Sequence, residues 1–170
     1  TFSYQYQQLK VTLEPEVTQQ LLHEANEAFG TRPFELLLSG LVLAYQKLEG
    51  SPGLTIEVES HGRNGVYDQT DNSRTVGWFT SQFPLKLEAK ETTDQTIIAT
   101  KEKWRQVPDE GAGFGFLKYI EKEPDLVAGA TSGWLFNYLG ELNDNLGEGW
   151  NMLESKAVNL VSAAGKRAAF

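Results

Sequence analysis

Apolar residues alternate with polar ones at the start of the chain, then shift to helical spacing, then alternate again. Tyr4, Tyr6, Leu9, Val11 and Leu13 recur at alternate positions with one slip at Gln7-Gln8, which predicts a strand over residues 3–13, bulged at the slip. Pro15 suits the first turn of a helix, and Val17, Leu21, Leu22, Ala25 and Phe29 follow at helical spacing up to a stop at Gly30. A second helix is expected from about Thr31, with Pro33 in its first turn. Its wide apolar face (Phe34, Leu37, Leu38, Leu41, Val42, Tyr45, Leu48) predicts deep burial. After a turn at 50–53, Leu54, Ile56 and Val58 alternate with Thr55, Glu57 and Glu59, the pattern of a strand with one face on the core.

Residues 61–74 are polar and predict a loop. Val76 to Leu87 is rich in aromatic and apolar residues and predicts a buried strand, bent near Gly77 or Pro84. A helix is expected from about Thr93 to Gln106, carrying Ile97, Ile98 and Trp104, with Asp94 as candidate cap. A Gly-rich loop at 111–115 leads into a short helix at 116–120. Trp134 to Leu139 predicts a buried strand, 143–149 a polar turn, and 150–155 and 157–163 two late strands. Together these give an α/β fold: one unit over residues 1–170, with helices packed against a mixed β-sheet. The last residues, Arg167-Ala168-Ala169-Phe170, look like the opening of another apolar alternation, so the unit is expected to be truncated there.

Composition narrows the chemistry. At 40% apolar and 22% charged the chain reads as an ordinary folded protein, and 170 residues suffice to bury roughly 70% of the unfolded surface. There is no cysteine, which removes disulfides, thiolate catalysis and thiolate-held metals together. Two histidines without a carboxylate cluster at ligand spacing argue against a metal site. A net charge of -8 without a basic stripe argues against nucleic acid. No apolar run reaches the roughly 20 residues of a membrane span, and no signal peptide is visible at Thr1-Phe2-Ser3, so the expected setting is cytoplasmic with no membrane partner.

Several residues carry candidate chemistry. Glu59 sits at a strand end beside a polar loop, where a carboxylate meets substrate readily or is simply exposed. On an extended strand His61 falls on the same face, placed to tune Glu59 or to serve as a structural hydrogen-bonder. Arg63 reads as a loop anchor or a partner of Asp68 or Asp71. Gly111, Gly113 and Gly115 permit close backbone approach, but the loop lacks the Lys-Ser/Thr of a P-loop. Tyr138 offers a phenol to a developing oxyanion or to a backbone partner, and Asn137 should point to the opposite face.

Four blocks in fixed order carry a resemblance: Glu59-Ser60-His61-Gly62-Arg63, Arg74 to Leu85, Pro108 to Gly115, and Phe136-Asn137-Tyr138-Leu139-Gly140. Together they resemble the later core motifs of the epimerization domains of nonribosomal peptide synthetases, within the condensation-domain superfamily. The first block matches Glu-Gly-His-Gly-Arg-Glu, with Ser60 in place of glycine and Asn64 in place of the last glutamate. The third matches Pro-x-x-Gly-x-Gly-Tyr-Gly, with Phe114 at the tyrosine. The fourth departs from its motif at Leu142-Asn143, where the family has Phe-Asp. The family's earlier motif, two adjacent histidines with an aspartate three residues on, has no counterpart here.

The resemblance implies a chloramphenicol-acetyltransferase-like half, the C-terminal subdomain of a two-lobed domain. It implies an isomerase that interconverts L and D configuration at the α-carbon of an aminoacyl or peptidyl thioester, inactive without its other half. Glu59 and Tyr138 are then the catalytic residues. His61, Arg63, Trp78, Thr80, Ser81 and Asn137 line or support the substrate channel, with Thr80 or Ser81 facing the pantetheine arm. No cofactor is bound directly; the phosphopantetheine belongs to a peptidyl carrier protein domain. The other implied partners are the N-terminal half of the same domain and a downstream condensation domain. A condensation or acyl-transfer half forming amide bonds, or a non-catalytic carrier-docking module, are the competing expectations.

Overall fold

The computed structural model describes residues 9–63, 74–127, 129 and 132–140. The chain divides into two compact units, Thr1–Tyr138 and Leu139–Phe170, and every element below belongs to the first. The expected turn at 143–149, the two late strands, Tyr4, Tyr6, Asn64, Asp68, Asp71, Leu142 and Asn143 lie outside the described residues.

Pro15 opens α1 (Pro15–Gln19), which continues through a π-helical stretch, Gln20–Glu24, into α2 (Ala25–Phe29). The buried Asn26 side chain serves this widened stretch. Its amide donates to the carbonyls of Leu21 (2.8 Å) and Leu22 (3.0 Å), and its oxygen accepts from the Thr31 hydroxyl (3.0 Å). Gly30 then takes the left-handed conformation that ends the helix, as its position predicts. Two basic side chains of a later helix close the carbonyls left at that end. Lys101 donates to Phe29 O (2.6 Å) and Arg105 to Gly30 O (2.8 Å).

Helix α3 (Pro33–Glu49) begins with the expected proline and packs Leu38 and Val42 into the core. The deep burial expected of its whole apolar face holds for only part of it. Leu48 is exposed, while the fully buried surface includes Glu35 and Ser39, because a charged side chain of the later helix reaches in to pair with Glu35.

Strands β1 (Gly53–Ser60) and β2 (Ser81–Glu88) run antiparallel, and β3 (Leu135–Phe136) joins β1 in parallel, giving the order β2-β1-β3. The helices thus pack on a mixed sheet, the expected α/β architecture. Leu54, Ile56 and Val58 of β1 and Phe83, Leu85 and Leu87 of β2 all face α3 and α4 (Thr93–Arg105) and are buried. Pro84 sits inside β2 without penalty because β2 is the edge of this sheet among the described residues. Trp104 of α4 stacks on Phe83 (ring centroids 5.9 Å) and meets Phe34 of α3 (4.5 Å), tying both helices to the sheet. The chain goes on through a 3-10 turn (Pro108–Gly111), a π-helical turn (Phe116–Ile120) and α5 (Pro124–Val127).

Four expectations are corrected. Residues 9–13 form no strand: Leu9 and Val11 are exposed, and no described strand runs beside them to accept their alternation. The strand expected from Val76 starts only at Ser81, because β1 ends opposite it at Ser60 and offers no ladder to residues 76–80. Val76 and Trp78 are consequently exposed, not buried. The cap of α4 is Thr92, whose hydroxyl accepts from Gln95 N (3.2 Å), not Asp94, which lies within the first turn. The strand expected over 134–139 shortens to two residues, and Trp134, Leu135 and Leu139 are substantially exposed.

Candidate functional site

Glu59 points to the face of the sheet that, among the described residues, carries no helix, since Val58 beside it points into the core. The register puts Glu59 opposite Gln82 of β2. On the other side, parallel pairing of Val58 with Phe136 brings Glu59 beside Asn137 one residue later. The three side chains form a row across the sheet. Gln82 Nε2 donates to Glu59 Oε1 at 2.7 Å, and Asn137 Nδ2 donates a short hydrogen bond to Oε2. Each carboxylate oxygen therefore has one amide donor and lone pairs to spare. The carboxylate is half-buried and fixed in direction, the condition a proton-transferring group requires.

The turn after Glu59 is built by close backbone contact. Ser60 Oγ lies 2.7 Å from Ser81 Oγ and donates to the carbonyl of Glu110 (2.9 Å), closing the open end of the β1–β2 pair. Gly62 adopts φ 62°, and a Cβ there would lie 1.7 Å from the Phe79 carbonyl oxygen, so only glycine fits. Arg63 covers the Phe79 ring, its guanidinium carbon 4.1 Å from the centroid, and donates to Thr75 O (3.0 Å). These contacts tie the loop to Phe79 and Thr75, while Asp68 and Asp71, the other partners the sequence offered, lie outside the described residues.

His61 does not face Glu59. Its Nδ1 accepts from Arg63 N–H at 3.1 Å, which places the proton of the neutral ring on Nε2, and Nε2 lies 3.7 Å from Glu110 Oε2. Tyr138 and Asn137 do separate as alternation predicts. Tyr138 packs its ring edge-on against Phe34 (6.5 Å), beside Phe136 on the helix side, while Asn137 reaches Glu59. Trp78 and Thr80 are exposed, and Ser81 is occupied by Ser60.

Two residues of this region escaped sequence reasoning. Gln82 sits inside the aromatic block but follows from the pairing of β1 with β2, which alternation alone leaves without a register. Glu110 comes from a loop fifty residues away from Ser60, and no local pattern announces it. Among the described residues no cluster of His, Cys, Asp or Glu is arranged to hold a metal ion, and no helix is long and apolar enough to cross a membrane.

Comparison with known proteins gives the family. The profile of the condensation-domain family matches residues 1–138. The chain is similar to bacitracin synthase 3 of Bacillus licheniformis, 41% identical over 156 residues, which is 91% of this chain and 2% of that protein. It is similar to the crystal structure of the epimerization domain from the third module of tyrocidine synthetase B: TM-score 0.60, 34% identity, 67% of this chain and 26% of that one. The first condensation domain of the calcium-dependent antibiotic synthetase shares the fold, with TM-score 0.54 at 17% identity over 71% of this chain and 25% of that one. The chain thus spans about a quarter of each solved neighbour and a small part of the synthetase.

Proposed function

The chain belongs to the condensation-domain family, and within that family we propose that it forms part of an epimerization domain of a nonribosomal peptide synthetase. The reaction is exchange of the α-proton of an aminoacyl or peptidyl thioester carried on the phosphopantetheine arm of a peptidyl carrier domain. The observation that carries the reading is the Glu59 carboxylate, held by Gln82 and Asn137 on the sheet face opposite α3 and α4.

The chemistry needs little else. A thioester carbonyl accepts the electron pair left on the α-carbon, so abstraction of the proton gives an enolate, and returning a proton to the opposite face inverts the centre. Glu59 exchanges the proton on one face. The family's paired histidines, which have no counterpart in this sequence, would serve the other face from the domain's N-terminal half. Asn137, bonded to the carboxylate, aims it. Tyr138 contributes through geometry, by holding β3 against α3 at Phe34. Trp78 and Thr80 are available to line the channel followed by the pantetheine arm. The likeness to a solved epimerization domain at 34% identity supports this reading.

The test is deuterium uptake. A carrier protein loaded with an L-aminoacyl thioester is incubated in D2O with this chain, with and without a separately produced N-terminal half. Uptake only with both halves, reduced by about 10²–10⁴-fold in Glu59→Gln, is the expected result. An assembled pair that forms amides from acceptor amines without α-proton exchange would assign condensation instead. Carrier binding indifferent to Glu59→Gln, with neither reaction, would leave a docking module.

A further inference from the structure

We propose that Glu110 is a positioning residue that fixes the Glu59–His61 turn; the reaction it serves is the one proposed above, and the inference rests on that reading. Asp109 and Glu110 are consecutive residues with side chains at φ 48° and φ 50°, in the left-handed region that such residues rarely adopt. Conformations of this kind persist only where the surroundings over-determine them. Here Glu110 makes three long-range contacts. Its carbonyl accepts the Ser60 hydroxyl at 2.9 Å, and its carboxylate lies 3.5 Å from Arg32 Nη1 and 3.7 Å from His61 Nε2.

The contacts form one chain of support. Since the Ser60 hydroxyl donates to Glu110, the Ser81 hydroxyl is the donor in the Ser60–Ser81 pair, so the last rung of β1 and β2 is locked in a single direction. Arg32 is the first anchor beyond it. Its own N–H donates to Glu35 Oε2 (2.9 Å), and Glu35, fully buried, is gripped by Arg105 through both oxygens (2.9 and 3.0 Å). Glu110 therefore ties the far side of the turn to the start of α3. The Glu59 side chain is aimed by two amides and its backbone is stopped from swinging by Ser60 and His61. The strained backbone places carbonyl and carboxylate of one residue on two successive residues of that turn.

Two measurements separate this role from mere stability. The chain has only two histidines, His23 and His61, so the ¹⁵N signals of the His61 ring can be assigned with a His23→Gln variant. In Glu110→Ala the turn should loosen and weaken the Arg63 N–H bond to Nδ1, so the preference of the His61 ring for the Nε2–H form should fall and amide exchange at Arg63 should accelerate. Glu110→Gln keeps an acceptor for Nε2–H and should restore both. In the chain assembled with its N-terminal half, Glu110→Ala should lower kcat for α-proton exchange by about ten- to a hundredfold with KM unchanged, as expected for a displaced catalytic group. Glu110→Gln should recover part of that loss.

If Glu110→Ala fails to fold, Ser60→Ala removes the other link of the same residue, the hydroxyl bond to the Glu110 carbonyl, and should lower kcat in the same sense. Wild-type kcat in either folded variant, while Glu59→Gln is inactive, overturns the inference. If the assembled wild type shows no exchange at all, the epimerization reading falls. The ring signals and amide exchange then decide the positioning role alone: unchanged signals in Glu110→Ala refute it, and altered ones uphold it.

Discussion

Replacing Gly111 by alanine tests how the loop from Pro108 is seated on the core. Gly111 is buried at φ 80°, and a Cβ at this position would lie 2.0 Å from Phe83 Cδ1 and 2.2 Å from Cε1. Phe83 cannot retreat easily, since it is 4% exposed and stacked on Trp104. Two costs therefore combine. Left-handed backbone with a Cβ costs about 1–2 kcal/mol, and forcing volume into a packed core costs about 1–3 kcal/mol. Gly111→Ala should lose about 2–5 kcal/mol, read as a lower urea midpoint at constant slope. Gly113→Ala is the control. Gly113 has no positive φ, and a Cβ added there would meet nothing within 4 Å, so alanine should be neutral or stabilise by a few tenths up to about 1 kcal/mol. A double-mutant cycle with Phe83→Leu separates the costs: the overlap should be relieved and the backbone cost should stay. A Gly111→Ala protein within about 0.5 kcal/mol of wild type, an ordinary surface effect, would refute the packing argument.

Other perturbations have defined outcomes. Thr92→Ala removes the acceptor of the Gln95 N–H and should cost about 1 kcal/mol in urea unfolding, with Asp94→Ala costing less. Glu35→Ala should cost about 2 kcal/mol; that is below the 3–5 kcal/mol of a wholly buried pair, because Arg105 keeps about half its side-chain surface in water. Glu88 is held below the ordinary carboxylate range by its hydrogen bond to Lys90 and by that cation's charge. A depressed carboxylate contributes stability that is present above its unfolded pKa and lost as pH falls through its folded pKa. Thermal melts of wild type and Glu88→Gln should therefore differ slightly at neutral pH and converge under acid conditions.

The elements most legible in the sequence are those whose stabilisation is local or one-sided. The alternation of Leu54, Ile56 and Val58 and the Pro33 and Gly50 bounds of α3 needed no knowledge of partners. Where the partner decides, the pattern misled. Trp78 reads as a core aromatic, yet β1 has ended before a ladder can hold it. Leu9 and Val11 alternate like a strand without a described neighbour to complete one. At the site, the strand end bearing Glu59 was visible in the sequence, whereas its aim depends on Gln82, twenty-three residues on, and Asn137, seventy-eight residues on. Alternation separated Asn137 from Tyr138 correctly but could not say which of them meets Glu59. The charge relay from Arg105 through Glu35 and Arg32 to Glu110 joins the start of α3 to the end of α4 and the turn beyond it, and no spacing rule reaches across the seventy residues between Glu35 and Arg105.

Pro84 gives the sheet a boundary. It sits in the middle of β2, an edge strand among the described residues, where alternate residues would otherwise turn bonding groups toward a further chain. Proline has no N–H to give, and Lys86 and Glu88 follow it at alternate positions on the exposed face. A foreign strand approaching this side finds a missing rung and charged neighbours that must be stripped of water. Edge-to-edge fibre growth through β2 is thereby disfavoured.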